Sequence, residues 1–369
     1  MREISFLFDE IMKWFRPSGL DSLVHFVTYK CNARCGHCFF LSEINKKGDL
    51  SKEEIFRVIK TVGKIKGLLI SGGEPFLRDD LPEIIVEYVS KCGVKVASIP
   101  TNGFDTEKII RAAREILEKC PDLNLTLALS LDGLYDLHDR QRGFPGGFSR
   151  TVETAREITV LRKIYPKLRF QIVTVITADN VDLLASIRDF TRNEIDPDYH
   201  WFELVRRTNS DDLSSRISRD KLKCFLKENI SYYIKKNRGA SKNIYSSRLL
   251  NKAIAAFSIN NLEIAVDNFF DGKRWPVRCV AGRKISVIYP NGDVSVCELR
   301  SSAVNVKDFD YDLSKALKAA KMKKEIKDLA VEKCDCFHGC FIPPSVRYNP
   351  FYMGMLALRA VFQGRAMAL

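Results

Sequence analysis

Three cysteines lie close together near the start of the chain. Cys31, Cys35 and Cys38 form a C-x3-C-x2-C pattern, which places three thiolates in one short loop. Thiolates at this spacing can ligate three irons of a cubane iron–sulfur cluster and leave the fourth iron open to a substrate or cofactor. A structural zinc site would need a fourth protein ligand, and His37 lies between the other ligands, where its ring would point away from a shared centre.

A second group of cysteines lies in the last third of the chain. Its members are Cys279, Cys297, Cys334, Cys336 and Cys340. An Asn-Gly dipeptide between β-rich runs at 284–289 and 294–297 predicts a hairpin that brings Cys297 back towards Cys279. The five thiols suit one cluster with four protein ligands, with one of the last three as the spare thiol. A zinc knuckle remains the alternative, because zinc and cubane clusters share thiolate ligands.

The other three cysteines lie singly in helix-like stretches. Cys92, Cys120 and Cys224 are expected to be small, buried hydrophobic residues. The total of eleven cysteines is odd, and the first residues do not resemble a secretory signal. These features favour thiolate ligands or catalytic thiols in a reducing compartment over a disulfide framework, so we expect a cytoplasmic protein.

Alternating strands and helices must position these residues. The predicted strands are 23–29, 67–71, 94–100, 123–131, 169–176 and 200–205, and the predicted helices are 51–64, 80–92, 106–119, 149–163 and 181–193. Six strands joined through helices imply right-handed crossovers and a parallel sheet. We therefore predict an α/β fold, a partial (β/α)6 TIM-like barrel, followed by a small cysteine-rich α+β extension.

Polar residues follow the first four predicted strands. Such folds carry their chemistry at the C-terminal ends of the strands. Besides the Cys31–Cys38 loop, the candidate residues are Gly72, Gly73 and Glu74 after the second strand, Thr101 and Asn102 after the third, and Ser130 and Asp132 at the end of the fourth. Ser130 and Asp132 could equally form an Asx turn closed by Gly133. The charged segment 138–143 would either contact substrate or pin a loop, and pinning is favoured.

The C-x3-C-x2-C loop together with the Gly-Gly-Glu-Pro sequence at 72–75 resembles the radical S-adenosylmethionine (radical SAM) enzymes over about residues 20–210. This resemblance implies that the three cysteines of the loop ligate a 4Fe-4S cluster with an open iron, where S-adenosylmethionine binds. It also implies that the backbone of Gly72 and Gly73 and the side chain of Glu74 accept hydrogen bonds from the methionyl ammonium. Thr101, Asn102, Ser130 and Asp132 would contact the ribose or the carboxylate of the cofactor.

The C-terminal cysteines resemble the SPASM extension of this family or its shorter Twitch form. That resemblance implies one auxiliary 4Fe-4S cluster. It divides the chain into an N-terminal amphipathic helix at 1–20, a radical SAM core at 21–240 and a SPASM/Twitch-like region at 241–369 that ends in a helical tail. The tail has apolar residues along one face, and we expect it to dock on the barrel rather than lie in a membrane interface.

Composition and charge limit the possible classes of protein and of binding partner. Hydrophobic residues make up 46% of the chain and charged residues 28%, which excludes a disordered, collagen-like or polytopic membrane protein. Lys and Arg number 59 against 46 Asp and Glu, a net charge of +13. A phosphorylated substrate, nucleic acid and a membrane surface are all compatible with this charge, which alone does not choose between them; a bound nucleic acid is not expected. The basic run at 207–252 is expected to be a solvated helical face.

Three functions are compared. The resemblance implies an enzyme that cleaves S-adenosylmethionine reductively to a 5′-deoxyadenosyl radical and oxidises a small metabolite, sugar or lipid-like molecule, with the auxiliary cluster as electron acceptor and flavodoxin or ferredoxin as electron donor. A SPASM-type peptide or protein maturase is the alternative, although only about 20 residues precede the first strand, too few for a fused peptide-recognition domain. A metal-dependent nucleic-acid-binding module would leave the Gly-Gly-Glu-Pro sequence without a role.

Overall fold

The computed structural model describes residues 19–206, 213–240, 248–332 and 336–362. Residues 1–18, which hold most of the predicted N-terminal helix, and Cys334 lie outside the described residues. Contacts divide the chain into two compact units. The first comprises Leu20–Asp211 and Ala281–Asp328, and the second includes Asp212–Val280 and Leu329–Leu369. Each of these units is assembled from separate segments of the chain, so the units do not correspond to consecutive domains. The predicted domain boundaries at 20 and 240 therefore stay predictions.

A single mixed sheet forms the centre of the first unit. Its strands are β1 (Ser22–Phe26), β2 (Gly67–Ser71), β3 (Val96–Thr101), β4 (Asn124–Ser130), β5 (Leu168–Ile176), β6 (Tyr199–Leu204), β7 (Ile285–Ile288), β8 (Asp293–Ser295) and β9 (Val304–Asn305). They lie in the order β6-β5-β4-β3-β2-β1-β7-β8-β9. Neighbours from β6 to β7 are parallel, and β7, β8 and β9 pair antiparallel. The sheet is open, and the predicted partial-barrel class is confirmed.

Helices connect the strands and form most of the second unit. In chain order they are α1 (Lys52–Val62), α2 (Leu81–Cys92), α3 (Thr106–Lys119), α4 (Asp136–Arg142), α5 (Gly147–Ile164), α6 (Leu184–Phe190), α7 (Leu213–Arg216), α8 (Arg219–Ala240), α9 (Arg248–Asp271), α10 (Leu313–Lys318), α11 (Ala320–Val331), α12 (Ile342–Arg347) and α13 (Pro350–Phe362). All five predicted helices of the repeating region are present.

Local sequence explains how the elements near the site begin. Strand β1 is buried on both faces, with Leu23 and Phe26 fully inaccessible to solvent. Such a strand suits the centre of a sheet that helices cover. Helix α1 begins with the expected capping box, because the Ser51 hydroxyl accepts from the Glu54 N–H at 3.2 Å and the Glu54 carboxylate accepts from the Ser51 N–H at 2.8 Å.

The predicted hairpin is present as β7 and β8. Val287 pairs with Ser295 across it, and Gly292 in the turn has a φ of +93°, a conformation that favours glycine. The local pattern does not reveal that β7 also pairs with β1, in parallel, with Ser22 opposite Ile285. The hairpin therefore continues the main sheet.

Helices of the second unit pack around a small apolar cluster. Its buried members are Ile264, Val277, Ile342, Val346 and Leu356. The Tyr352 hydroxyl donates to the Asn260 side-chain oxygen at 2.9 Å. The tail helix α13 is therefore packed against α9 and α12 of its own unit. No helix among the described residues combines the length and apolar composition needed to cross a membrane.

The single cysteines differ from expectation at one position. Cys92 and Cys120 are buried, as predicted, but Cys224 is exposed, so that prediction is wrong. The buried face of α8 is set by Leu222 and Leu226, which are 0% and 4% exposed. Cys224 lies midway between them in sequence, about 200° around the helix from either one, and so faces solvent.

Candidate functional site

A cavity of about 110 Å³ lies where the first four strands end. Its lining includes Cys31, Cys35 and Cys38, the loop residues Gly72, Gly73, Glu74, Thr101 and Asn102, Ser130 at the end of β4, and Arg142 at the end of α4. The fold thus brings together all but one of the site residues that were predicted from the first 240 residues. The exception is Asp132. The chemical roles assigned to these residues stay predictions.

Burial acts strongly on the thiols of the cavity. It raises the pKa of Cys31 to about 12 and also raises the pKa of Cys38. Metal binding needs thiolates, and a cationic metal centre supplies the charge that makes them stable. Three thiols on one small cavity, in surroundings that disfavour their uncompensated charge, therefore fit an iron–sulfur cluster.

Asn45 holds the first cysteine in place. Its side-chain oxygen accepts from the Cys31 N–H at 2.9 Å, and its side-chain amide donates to the Cys31 carbonyl at 3.1 Å. Its own N–H donates to the Tyr29 carbonyl at 2.7 Å. Asn45 adopts a φ of +61°, a conformation that asparagine tolerates better than most residues. Asn45 was not predicted from the sequence, and only the preference of asparagine for such turns could have indicated it.

The cysteine loop lies against the C-terminal end of α4. The Arg34 N–H donates to the Arg142 carbonyl at 2.9 Å, and the Gly36 N–H donates to the Gln141 carbonyl at 3.1 Å. Gly143 ends α4 with a φ of +58°, and a Cβ there would lie 2.6 Å from the Arg34 carbonyl oxygen. The segment 138–143 therefore pins the cysteine loop, as predicted.

Asp132 is fully buried, with its carboxylate engaged by protein groups. One oxygen accepts from the Val175 N–H at 2.7 Å. The other lies 2.6 Å from Arg142 Nη2 and 3.1 Å from His37 Nε2. Burial raises the pKa of Asp132, but the charge of Arg142 and then the neighbouring His37 outweigh it and hold the pKa below its usual range. Asp132 is not among the described residues that line the cavity, and its carboxylate holds Arg142, which is one of them. Its predicted contact with the cofactor stays a prediction.

The two glycines let neighbouring loops approach each other. A Cβ on Gly73 would lie 2.2 Å from the Lys30 carbonyl oxygen and 2.9 Å from the Cys31 Cβ. The Gly73 N–H donates to the Thr28 carbonyl at 2.9 Å, and the Glu74 N–H donates to the Lys30 carbonyl at 2.8 Å. From the sequence, the backbone of both glycines was expected to accept hydrogen bonds from the methionyl ammonium. The structure adds close approach to the segment that leads into Cys31.

Glu74 presents a buried carboxylate to the cavity. Its oxygens accept from the Phe76 N–H at 3.2 Å and from the Asn102 N–H at 2.8 Å. Burial raises the pKa of Glu74 to about 7, although these backbone donors lower it. A carboxylate in this environment would be stabilised by a bound cation, and a ligand ammonium group fits that requirement.

Asn102 connects the loop after β3 to the cysteine loop. Its side-chain amide donates to the Asn32 side-chain oxygen at 2.7 Å, and its own side-chain oxygen accepts from the Phe104 N–H at 2.9 Å. Thr101 accepts from the Gly103 N–H at 3.1 Å and so shapes the same turn. Asn32 is a further residue that the sequence analysis missed, because a contact between distant loops leaves no local pattern.

The C-terminal cysteines fall in both units. Cys297 belongs to the first unit, where it is 7% exposed. Cys279, Cys336 and Cys340 belong to the second unit and are half-buried. Within that unit the Trp275 indole N–H donates to the Cys336 carbonyl at 2.5 Å. Cys334 lies outside the described residues, and the predicted joint role of the five cysteines as ligands stays a prediction.

Comparison with known proteins agrees with this geometry. Residues 26–177 match the model of the Radical SAM superfamily. An AdoMet-dependent heme synthase of Methanosarcina barkeri is 34% identical over 197 residues, which are 51% of this chain and 52% of the relative. A probable GTP 3′,8-cyclase of Archaeoglobus fulgidus is 41% identical over 92 residues, 24% of this chain and 30% of the relative. The chain spans about half the length of the first curated relatives that it matches.

Solved structures resemble the chain over most of its length. Native anSMEcpe with bound AdoMet and a Cp18Cys peptide has a TM-score of 0.56 at 18% identity, covering 93% of this chain and 95% of that chain. Streptococcus suis SuiB bound to the precursor peptide SuiA also has a TM-score of 0.56, at 20% identity, covering 86% of this chain and 69% of that chain. At these identities the likeness concerns the fold alone. Residues 26–177, which include the cysteine loop and the neighbouring loops that line one cavity with it, are similar to the Radical SAM superfamily.

Proposed function

We propose that the chain binds a 4Fe-4S cluster through Cys31, Cys35 and Cys38 and binds S-adenosylmethionine beside it. The observation that carries this proposal is that three thiols, those of the buried Cys35 and the half-buried Cys31 and Cys38, line one cavity together with a buried carboxylate. When bound, the two groups would supply a 5′-deoxyadenosyl radical that abstracts hydrogen from a substrate.

The cavity residues would bind and orient S-adenosylmethionine. Glu74 would accept hydrogen bonds from the methionyl ammonium. Burial opposes ionisation of the Glu74 carboxylate, and the positive charge of the ammonium would stabilise the ionised form. Gly72 and Gly73 would offer backbone groups to the same ammonium. Asn102 and Ser130, which line the cavity together with Thr101, would contact the ribose or the carboxylate.

An auxiliary 4Fe-4S cluster is the second part of the proposal. Its ligands would be Cys279, Cys297 and two of Cys334, Cys336 and Cys340. A cluster with four protein ligands has no open iron, so it would accept an electron from a substrate radical rather than bind substrate. The net reaction would then be an oxidation that consumes S-adenosylmethionine stoichiometrically, with a flavodoxin or ferredoxin as electron donor to the first cluster.

Two substrate classes are compared. The names of curated relatives concern heme, Fe-coproporphyrin III and GTP, which are small molecules, and they support a small-metabolite substrate. A peptide or protein maturase is the second candidate, because SuiB and anSMEcpe were solved with bound peptides. The net charge of +13 suits an anionic substrate of either class.

Loss of the three cysteines tests the proposed function. Anaerobically reconstituted protein with dithionite should convert S-adenosylmethionine to 5′-deoxyadenosine and methionine. The Cys31/Cys35/Cys38→Ala variant should lose this activity while its circular dichroism spectrum stays unchanged. Cys224→Ala, which removes an exposed thiol, is the control and should retain activity. Equal turnover in the triple variant and the parent would disprove the assignment.

A further inference from the structure

Arg142 connects a cysteine thiol to a buried carboxylate. It is 8% exposed. One guanidinium nitrogen, Nη1, lies 3.5 Å from the Cys35 sulfur in hydrogen-bonding geometry. The other, Nη2, lies 2.6 Å from an oxygen of Asp132. The planar guanidinium thus reaches both partners at once, which a lysine ammonium on a flexible stem cannot reproduce.

Several contacts hold this arginine in one position. Asp132 is fixed by the Val175 N–H at 2.7 Å, and its carbonyl accepts from the Asn180 side-chain amide at 2.8 Å. The Arg142 carbonyl accepts from Arg34 in the cysteine loop. An arginine guanidinium is not deprotonated in proteins, so the side chain remains a cation. Its direction towards Cys35 is therefore set by the fold.

A hydrogen bond to a ligand sulfur affects the electronic state of a cluster. The donor withdraws electron density from the sulfur and stabilises the reduced, more negative state. Hydrogen bonds to the sulfurs are among the factors that set iron–sulfur reduction potentials. Asp132 acts in the opposite sense, because its negative charge partly neutralises the guanidinium that faces Cys35.

We propose that Arg142 raises the reduction potential of the cluster bound at Cys35, and that Asp132 limits this effect. The inference rests on the proposed function, because it requires a cluster at the three cysteines. Arg142 is a positioning residue in this account, since it acts through the Cys35 sulfur. Because Arg142 also lines the cavity, its effect must be measured without S-adenosylmethionine, so that any contact with that cofactor plays no part.

A redox titration of the reconstituted full chain, followed by electron paramagnetic resonance, tests this proposal. The relevant cluster is the one whose signal changes when S-adenosylmethionine is later added. Arg142→Lys keeps the charge beside Asp132 but loses the bond to sulfur, so its midpoint potential should be lower than that of the parent. Asp132→Asn leaves the guanidinium less neutralised, so its potential should be higher. A general loosening of the loop would move both variants in the same direction.

Arg162→Lys is the matched control. Arg162 forms another partly buried ion pair in the same unit, 3.1 Å from Asp198, and it donates to the Asp196 carbonyl. Its variant should keep the parent potential. An unchanged potential in Arg142→Lys at full iron content would overturn the proposal.

Loss of iron is also informative. If Arg142→Lys holds no cluster at the three cysteines, Asp132→Asn decides alone, and a potential that does not rise contradicts the proposal. If neither variant holds a cluster there, the pair only maintains the loop and the proposal is wrong. Failure of the proposed function is a different result, because the parent itself would then bind no cluster at the three cysteines.

Discussion

Glu74 holds a carboxylate where solvent scarcely reaches it. It is 4% exposed, and two backbone N–H groups are the main compensation for its charge. With a pKa of about 7, it is partly protonated at neutral pH when the cavity holds no cation. The same burial that opposes ionisation would strengthen its attraction for an ammonium group. Titration of Glu74 near neutral pH is therefore expected when the cavity holds no cation.

The pH dependence of stability should reveal Glu74. Its pKa of about 7 in the folded state exceeds its ordinary value of 4.5, so the folded state retains the proton between these values. The resulting stability is present below pH about 4.5 and is lost as the pH rises through about 7. Between pH 5 and 8, the free energy of unfolding of the metal-free parent should fall by about 2–3 kcal/mol more than that of Glu74→Gln.

Urea denaturation of both proteins at each pH measures this difference. Both the parent and Glu74→Gln contain the same buried histidines, so the effect of histidine titration on stability cancels when the two proteins are compared. His138 is one of them, and its pKa is lowered to about 4 by burial and then by Arg142. Glu153→Gln, which replaces an exposed carboxylate on α5, should behave like the parent. Identical pH profiles for the parent and Glu74→Gln would contradict the prediction.

Gly73 should tolerate no side chain. Gly73→Ala would place a methyl group against the Lys30 carbonyl and Cys31, so the Glu74–Lys30 hydrogen bond must shift. We expect a loss of about 2 kcal/mol in stability and faster loss of iron to a chelator. At Gly36 in the cysteine loop, no described atom apart from its chain neighbours would lie within 4 Å of an added Cβ. Gly36→Ala is therefore the control, and equal melting temperatures for the two variants would contradict this account.

Residue types predicted part of the site but not all of it. The three cysteines, the glycines and Glu74 were singled out because their types and spacing are specific, and they line one cavity; their roles stay predictions. Asn32 and Asn45 were missed, since a side chain that bonds to a neighbouring loop leaves no periodic pattern. Asp132 was expected to contact a cofactor, and that contact stays a prediction. The structure adds its contacts with Arg142 and His37. Those contacts depend on how α4 packs on the cysteine loop, which short-range sequence patterns do not encode.

Strands and helices in which apolar residues recur at regular spacing were predicted well. The six strands and five helices of the repeating region follow runs of buried residues, and β5 alternates buried and partly exposed positions. Helix α4 was not predicted as a helix, because its seven residues are mostly polar and too few to show a period. The hairpin was predicted, but its pairing with β1 was not, since strand partners far apart in sequence leave no local signal.

The tail helix offers a test at the level of an element. Leu356 is 5% exposed in the apolar cluster of the second unit, whereas Phe351 on the same helix is 85% exposed. Leu356→Ala should lower the free energy of unfolding by about 3 kcal/mol, because it leaves a cavity. Phe351→Ala should change it by less than about 0.5 kcal/mol. Thermal melting of both variants checks this, and equal effects would exclude docking through Leu356.

Iron content tests the proposal for the whole molecule. The reconstituted parent should hold about eight irons, four for each cubane, and the Cys31/Cys35/Cys38→Ala variant should keep about four. Elemental analysis of the purified chain measures both iron and zinc. About four irons with one zinc in the parent would refute the auxiliary cluster and give the C-terminal cysteines a structural role. Iron near twelve would indicate two auxiliary clusters and favour the peptide-maturase candidate.

The pairing of β1 with both β2 and β7 has a consequence for synthesis of the protein. A ribosome releases β1 and β2 early, but β7 emerges only after most of the chain has been made. Until then, one edge of the buried, apolar β1 has no partner strand in the nascent chain. Unpaired edges of this kind recruit other strands and promote aggregation. Chains that stop before residue 285 should therefore need chaperones to stay dispersed, even though every residue of the cysteine loop is already present.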